Sequence, residues 1–185
     1  MPQPMEITFT RLDDRGNDRA ELVDFLTSHE FPFHATRRLA RTVVEGWIDD
    51  GHFGDADHAS YWVDTNEGRV GLVVLQDLGD DAPLFDLRLA TEHRGKGLGA
   101  EVLKALTTHV FTTMPTVNRF EGQTREDNVA MRKTFLRAGF VKEAHYREGW
   151  PLEDGTSLAS VAYGILRRDW QTGRTTPLAW NDLLP

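Results

Sequence analysis

The sequence predicts an α/β (α+β) domain, with a mixed, mostly antiparallel sheet of about seven strands flanked by about four helices. Three observations predict it. Strand and helix periodicities alternate along the chain instead of segregating into halves. Two neighbouring strand runs, 58–64 and 69–78, meet at Asn66-Glu67-Gly68, a hairpin signal. A third run, Leu84 to Leu89, leads through a glycine-rich turn into an amphipathic helix. At 185 residues, one domain is large enough to bury a core. It is expected to span 1–170, with the aperiodic stretch 171–185 as a C-terminal tail.

The elements follow in order. Residues 5–12 set Ile7 and Phe9 against Thr8 and Thr10, the period of a strand. Asn17 or Asp18 caps a helix reaching about His29, with Leu22, Phe25 and Leu26 on one face. Pro32, inside Phe31-Pro32-Phe33-His34, cannot continue it. Thr36 then caps a second helix, in which Leu39, Val43 and Trp47 recur at four, and Gly51 and Gly54 end it. After the hairpin, Gly79 to Pro83 turns the chain into Leu84–Leu89. Leu98, Val102, Leu106 and Val110 line one face of the next helix. Pro115 breaks that helix, and 116–124 forms a strand. Reached through a helical crossover, this strand should run parallel to Leu84–Leu89. Asp127 or Asn128 caps a helix over 129–138, which Gly139 closes in the left-handed region. Residues 141–147 and 157–168 are the last two strands. They are joined through Gly149-Trp150-Pro151 and the turn at Glu153-Asp154-Gly155.

Composition excludes several classes. A net charge of −8, from 21 basic and 29 acidic residues, argues against a nucleic-acid binder. No apolar run is long enough to span a membrane, and residues 1–6 carry no basic or apolar leader. With no cysteine there are no disulfides, thiolate metal sites or cysteine nucleophile. The seven histidines form no close ligand set with carboxylates, so no metal is expected. A cytoplasmic location fits these features.

The chemistry concentrates at Glu92-His93-Arg94-Gly95-Lys96-Gly97-Leu98-Gly99. Strand, glycine turn and helix form a phosphate cradle. Glycine lets backbone N–H groups approach the anion, the first helical turn supplies unpaired donors, and Arg94 and Lys96 add full charges. No Walker loop is present. Gly95, Gly97 and Ala100 match the dinucleotide fingerprint, with Glu121 about 20 residues on. That fingerprint belongs to the first strand of a buried parallel sheet, whereas this strand is mid-chain and contains Asp86 and Arg88. A nucleotide- or NAD-binding domain is therefore the minor reading.

The remaining pattern, Arg94-x-x-Gly97-x-Gly99, resembles the acyl-CoA loop of the GCN5-related N-acetyltransferases (GNAT). A second motif, Asn128 through Phe135 to Gly139-Phe140, resembles that family's pantetheine-contacting helix. The ending of the chain is similar to the RimJ/RimL branch. The likeness covers roughly 5–170.

The resemblance implies two parallel strands that splay apart, with Leu87 and Leu89 offering backbone contacts to pantetheine around Arg88. Arg94 through Ala100 would hold the phosphates, and Asn128 would touch the pantetheine arm. An N–H near Leu87 would polarise the thioester. Phe31, Phe33, His34, Asp86 and Trp150 are acceptor-site candidates, with Trp47 beside them. Asp86 and Glu121 are candidate bases, Glu121 preferred because that strand often carries the family's base. The family's usual tyrosine acid, seven residues after the asparagine, is Phe135 here. Asn128, a water or His145 would then protonate the leaving thiolate.

The resemblance thus implies an acetyl-CoA-dependent N-acetyltransferase acting by direct attack on a peptide N-terminus or a small-molecule amine, with room for a homodimer through the last strands or tail. A non-catalytic acyl-CoA sensor or interaction module is the alternative.

Overall fold

A computed structural model describes residues 5–180. The strands are β1 (Ile7–Arg11), β2 (Ala59–Thr65), β3 (Gly68–Gln76), β4 (Leu84–Leu89), β5 (Arg119–Arg125), β6 (Val141–Pro151) and β7 (Ser157–Leu166). The helices are α1 (Arg19–Ser28), α2 (Arg41–Asp49), α3 (Leu98–Thr113), α4 (Val129–Arg137) and α5 (Arg167–Thr172), with a 3-10 turn at Thr91–His93.

The expected seven strands divide into two antiparallel sheets, ordered β1-β2-β3-β4 and β5-β7-β6. β4 and β5 are facing edges. They touch at their base, where the Glu121 N–H donates to the Pro83 carbonyl at 3.3 Å. Farther along, Asp86 to Arg88 and Gln123 to Thr124 line one cavity, so the two strands advance together and then part. The splay leaves a row of backbone groups on each edge without a partner strand.

The first sheet is buried on both faces, as the near-continuous apolar run in β3 requires. Val73 and Leu75 point into a core with Val102, Leu106, Phe120, Phe135 and Phe140, under α3 and α4. Leu72 and Val74 point the other way, into a core with Trp62, Leu22, Leu26, Val44 and Ile48, under α1 and α2. Leu98, Val102, Leu106 and Val110 are all buried, as their spacing predicts.

Three local expectations change. The second helix starts at Arg41 with Ala40 as its N-cap, not at Thr36. Residues 31–38 instead fold as a loop. The Phe31 N–H donates to the Arg37 carbonyl at 2.8 Å, and Glu30 recruits both Arg37 and Arg38. The helix therefore buries Val44 and Ile48, leaving Val43 exposed and Leu39 buried ahead of it. β6 runs on to Pro151 through an irregularity between Tyr146 and Trp150, where Glu148 takes a φ of 56°. A short α5 crosses the expected boundary of the tail, and its Trp170 packs on Phe111 with ring centroids 5.4 Å apart. Beyond it, the Thr176 N–H donates to Asp169 at 3.0 Å, and the Lys142 ammonium lies over the Trp180 ring.

Candidate active site

The loop between the 3-10 turn and α3 presents its backbone as donors. Gly95 (φ 73°) and Gly97 (φ 86°) occupy the left-handed region, where a side chain would be strained. Among the described residues, the N–H groups of residues 95 to 99 donate to no backbone carbonyl, whereas the next one, Ala100, donates to the Gly97 carbonyl. Five such amides precede or open a 16-residue helix, at the positive end of its dipole. Lys96 is exposed beside them. Arg94 is committed elsewhere. Its Nε donates to the Leu89 carbonyl at 2.8 Å and its Nη1 to the Glu30 carbonyl at 2.6 Å, and its guanidinium lies 5.1 Å from the Phe31 ring centroid. Burial pushes its pKa down from the usual arginine value, with Glu92 opposing. Arg94 thus ties the loop to the body of the protein.

From this loop a groove of about 350 Å³ runs along the open edge of β4, passing Leu87, Leu89, Gly95, Gly97, Gly99 and Thr134. Successive strand residues turn their backbone groups to opposite edges. The Ala90 N–H bonds to Val70 of β3, so Arg88 and Asp86 also face β3. Leu87 and Leu89 then face the splay. The Leu89 carbonyl is taken by Arg94 and the Pro83 carbonyl by Glu121, so the Leu87 amide and carbonyl lie in the open stretch between them.

A second cavity of about 400 Å³ lies between β4, β5 and the loop 31–35, and it includes Trp47, His52, Gln76, Gln123 and Trp150. Six residues, Phe33, His34, Leu87, Arg88, Asn128 and Met131, line both groove and cavity. The two chambers therefore share one wall, and Leu87 is on it.

A charged cluster sits at that wall. His34 Nε2 is 2.7 Å from Asp86 Oδ1. The other Asp86 oxygen accepts from Arg88 Nε at 3.0 Å and Nη2 at 2.9 Å. Burial by itself would raise the Asp86 pKa, but His34 and Arg88 together outweigh it and hold the carboxyl far below its usual range. The Arg88 side chain is 9% exposed, and its guanidinium lies 4.7 Å from the Phe31 ring centroid. Across the cavity, burial and then His58 push the His52 pKa down, so the His52 ring is neutral near pH 7.

The structure brings together most of the candidates read from sequence. Leu87, Arg88, Leu89, Arg94, Gly95, Gly97 and Gly99 line the groove, and Phe33, His34, Asp86 and Trp150 line the cavity. Leu98 and Ala100 are buried in the first turn of α3. Phe31 is a core residue at 2% exposure, a platform for Arg88 and Arg94 beneath the groove. Asn128 caps α4, its Oδ1 accepting from the Met131 N–H at 3.1 Å and its Nδ2 donating to Thr124 Oγ1 at 3.0 Å.

Glu121 does not line the cavity; Arg119 binds it through Nε at 3.0 Å and Nη2 at 2.6 Å, and Arg119 also holds Glu143. His145 is nearly half exposed and 3.8 Å from Glu126, off both chambers. Phe135 is core, at 1% exposure. His52, Gln76, Gln123 and Met131 escaped the sequence reading. Gln123 was reachable as the second residue on from Glu121 along one strand, but His52 carried no signal. Among the described residues, no group of three or more His, Cys, Asp or Glu side chains is placed to hold a metal ion.

A family model described as "Acetyltransferase (GNAT) domain" matches residues 7–141. No curated protein sequence matches the chain. Among solved structures, the chain is similar to a spermidine N-acetyltransferase SpeG chimera from Vibrio cholerae and hSSAT. The TM-score is 0.73 at 18% identity, covering 89% of this chain and 98% of that one. It is also similar to the Vibrio cholerae spermidine N-acetyltransferase in complex with CoA and spermine, with a TM-score of 0.70 at 19% identity, covering 89% and 98%. A third, described as a probable acetyltransferase, gives 0.71 at 22% identity, covering 89% and 94%. The matched segment takes in the glycine loop at 94–99, the open β4 edge and the Asn128 helix, and the chain belongs to the GNAT acetyltransferase family.

Proposed function

We propose that this protein is an acetyl-CoA-dependent N-acetyltransferase of the RimJ/RimL-like branch, working in the cytoplasm on a primary amine that attacks the thioester directly. One observation carries the reading: groove and cavity meet at a wall that contains the open Leu87 edge. The amides of residues 95–99 suit the phosphates, and pantetheine amides fit the β4 edge as an added strand would. The acceptor amine enters from the cavity. Its nitrogen bonds to the carbonyl carbon, the oxygen takes up negative charge, and the C–S bond breaks with the electron pair leaving on sulfur. The Leu87 N–H is the donor available to that oxygen.

The nitrogen must lose a proton. In this reading the proton passes to His34, the imidazole on the shared wall, whose ring Asp86 holds in place. Asp86 itself is a weak base because its charge is stabilised, and Glu121 serves as a structural partner of Arg119. A free thiol has a pKa of about 8.5, so the thiolate departs near neutral pH without the tyrosine that Phe135 replaces. Peptide N-termini and small amines both belong to the proposal. So does a homodimer through β6, the outer strand of its sheet.

The test is CoA release from acetyl-CoA across a panel of peptides and amines, with mass spectrometry of the products. Acetylated amine formed in step with free CoA is the expected result. Binding of acetyl-CoA with no release for any amine would point instead to a non-catalytic acyl-CoA module, the reading Phe135 favours.

A further inference from the structure

The cavity wall carries one carboxylate, Asp86, and that carboxylate is fully engaged. His34 occupies one oxygen and Arg88 the other. Neighbouring carboxylates are paired as well. Asp55 accepts from His58 at 2.8 Å, and Asp127 is bound by Arg125 at 2.7 Å. His52, held neutral, adds no charge of either sign. A polyamine entering this space would leave water with two or more ammonium groups and meet no free anion among the described residues, and an uncompensated buried charge is strongly disfavoured.

What the cavity offers instead is flat apolar surface. Trp47 and His52 lie with ring centroids 5.1 Å apart and planes 32° apart. Trp150 and Phe33 add two further aromatic side chains, and Phe33 is held by Arg125, whose guanidinium lies 5.4 Å from its ring centroid. Gln76 and Gln123 contribute neutral amides. A volume of about 400 Å³ is that of a small-molecule pocket.

We infer that the acceptor is a primary monoamine with a flat aromatic body, stacked among Trp47, Trp150 and Phe33, and not a polyamine. The inference rests on the N-acetyltransferase reading above. The aromatic body places the amine at the wall shared with the groove, where Asp86 and Arg88 cancel each other's charge and the amine is favoured in its neutral, attacking form. The same chemistry can come from a free arylalkylamine or from a peptide whose N-terminal residue is aromatic.

The experiment compares kcat/KM for CoA release with tryptamine, a dipeptide beginning with tryptophan, and spermidine, at saturating acetyl-CoA. One or both aromatic amines should exceed spermidine by on the order of tenfold, a ratio that apolar pocket contacts can supply. Which of the two leads separates a free amine from a peptide. Trp150→Ala and Trp47→Leu should each raise the aromatic amine's KM severalfold, while their melting points still rise with acetyl-CoA. That second readout shows that the variants are folded and that the groove is intact. Spermidine as the best acceptor, or unchanged KM in both variants, would overturn the acceptor class and leave the transferase standing. Acetyl-CoA binding with no amine turned over would overturn both readings.

Discussion

Phe135 lies face to face on Tyr163, with ring centroids 4.6 Å apart and planes 3° apart. The position at which the family resemblance expects a proton donor is therefore part of the core that joins α4 to β7. The one phenol in that stack, Tyr163, is buried and accepts from Arg132 Nε at 3.2 Å.

Removing this ring should damage the fold more than the chemistry. Phe135→Ala should cost about 3–5 kcal/mol. At about 2–4 °C per kcal/mol in a domain of this size, the melting temperature falls by roughly ten degrees. Phe135→Leu, which keeps most of the volume, should retain the wild-type rate per folded molecule when assayed well below its melting temperature. Thermal denaturation and CoA-release rates check the pair. A large loss of rate in a folded Phe135→Leu protein would mean that the ring contributes to the reaction itself.

Gly122 is the other half of this packing. A Cβ there would sit 2.8 Å from Phe85 Cε1 and 2.9 Å from Phe135 Cζ. Gly122→Ala should therefore lose about 1–3 kcal/mol by overpacking, although alanine suits a strand backbone better than glycine. Chemical denaturation measures it. Pairing Gly122→Ala with Phe135→Leu should recover part of the loss, because the two side chains compete for one space.

Asp86 makes stability depend on pH. Its folded pKa lies far below the ordinary carboxylate value because His34 and Arg88 stabilise the charge more than burial opposes it. A depressed carboxyl stabilises the fold above its unfolded pKa, about 3.9, and that stabilisation is lost as pH falls through the folded value. The stability gap between wild type and Asp86→Asn should therefore be widest between pH 5 and 7, and should narrow below about pH 4. Denaturation midpoints across that range decide it. A gap that stays constant down to pH 3 would mean that the pair contributes through shape alone.

Much of the fold was legible in the chain. The strand at Leu84–Leu89, the four-residue spacing from Leu98 to Val110, and the Asn128 cap all appear where residue chemistry puts them. The glycine loop was legible because left-handed φ angles call for glycine, as at Gly95 and Gly97. The start of α2 was not, because Thr36 is a good capping residue and the contacts that hold residues 31–38 as a loop lie outside any local motif: Glu30 with Arg37 and Arg38, His34 with Asp86, and Arg125 with the Pro32 carbonyl. The far part of β6 was hidden by Glu148, a residue that rarely takes positive φ. In the site, the family resemblance pointed to the Leu87 edge, and strand alternation turns that edge toward the splay. The pairing of Glu121 with Arg119 also has a local origin: two residues apart on a strand, they share one face. The link from His34 to Asp86 spans 52 residues and is set by tertiary packing.

The most direct test of the account is the melting temperature with and without acetyl-CoA, for wild type and Gly97→Glu. A Cβ at Gly97 meets nothing within 4 Å, so the substituted chain has room to fold, with strain only from the φ of 86°. Gly97→Ala carries the same strain without the charge. At about a hundred times its dissociation constant a ligand adds roughly 2.7 kcal/mol, which is several degrees in a domain of this size. The account predicts that rise for wild type, most of it retained in Gly97→Ala, and none in Gly97→Glu, where a carboxylate occupies the anion site. An equal rise in the folded Gly97→Glu protein would contradict it, because the phosphates would then lie somewhere other than the amides of residues 95–99.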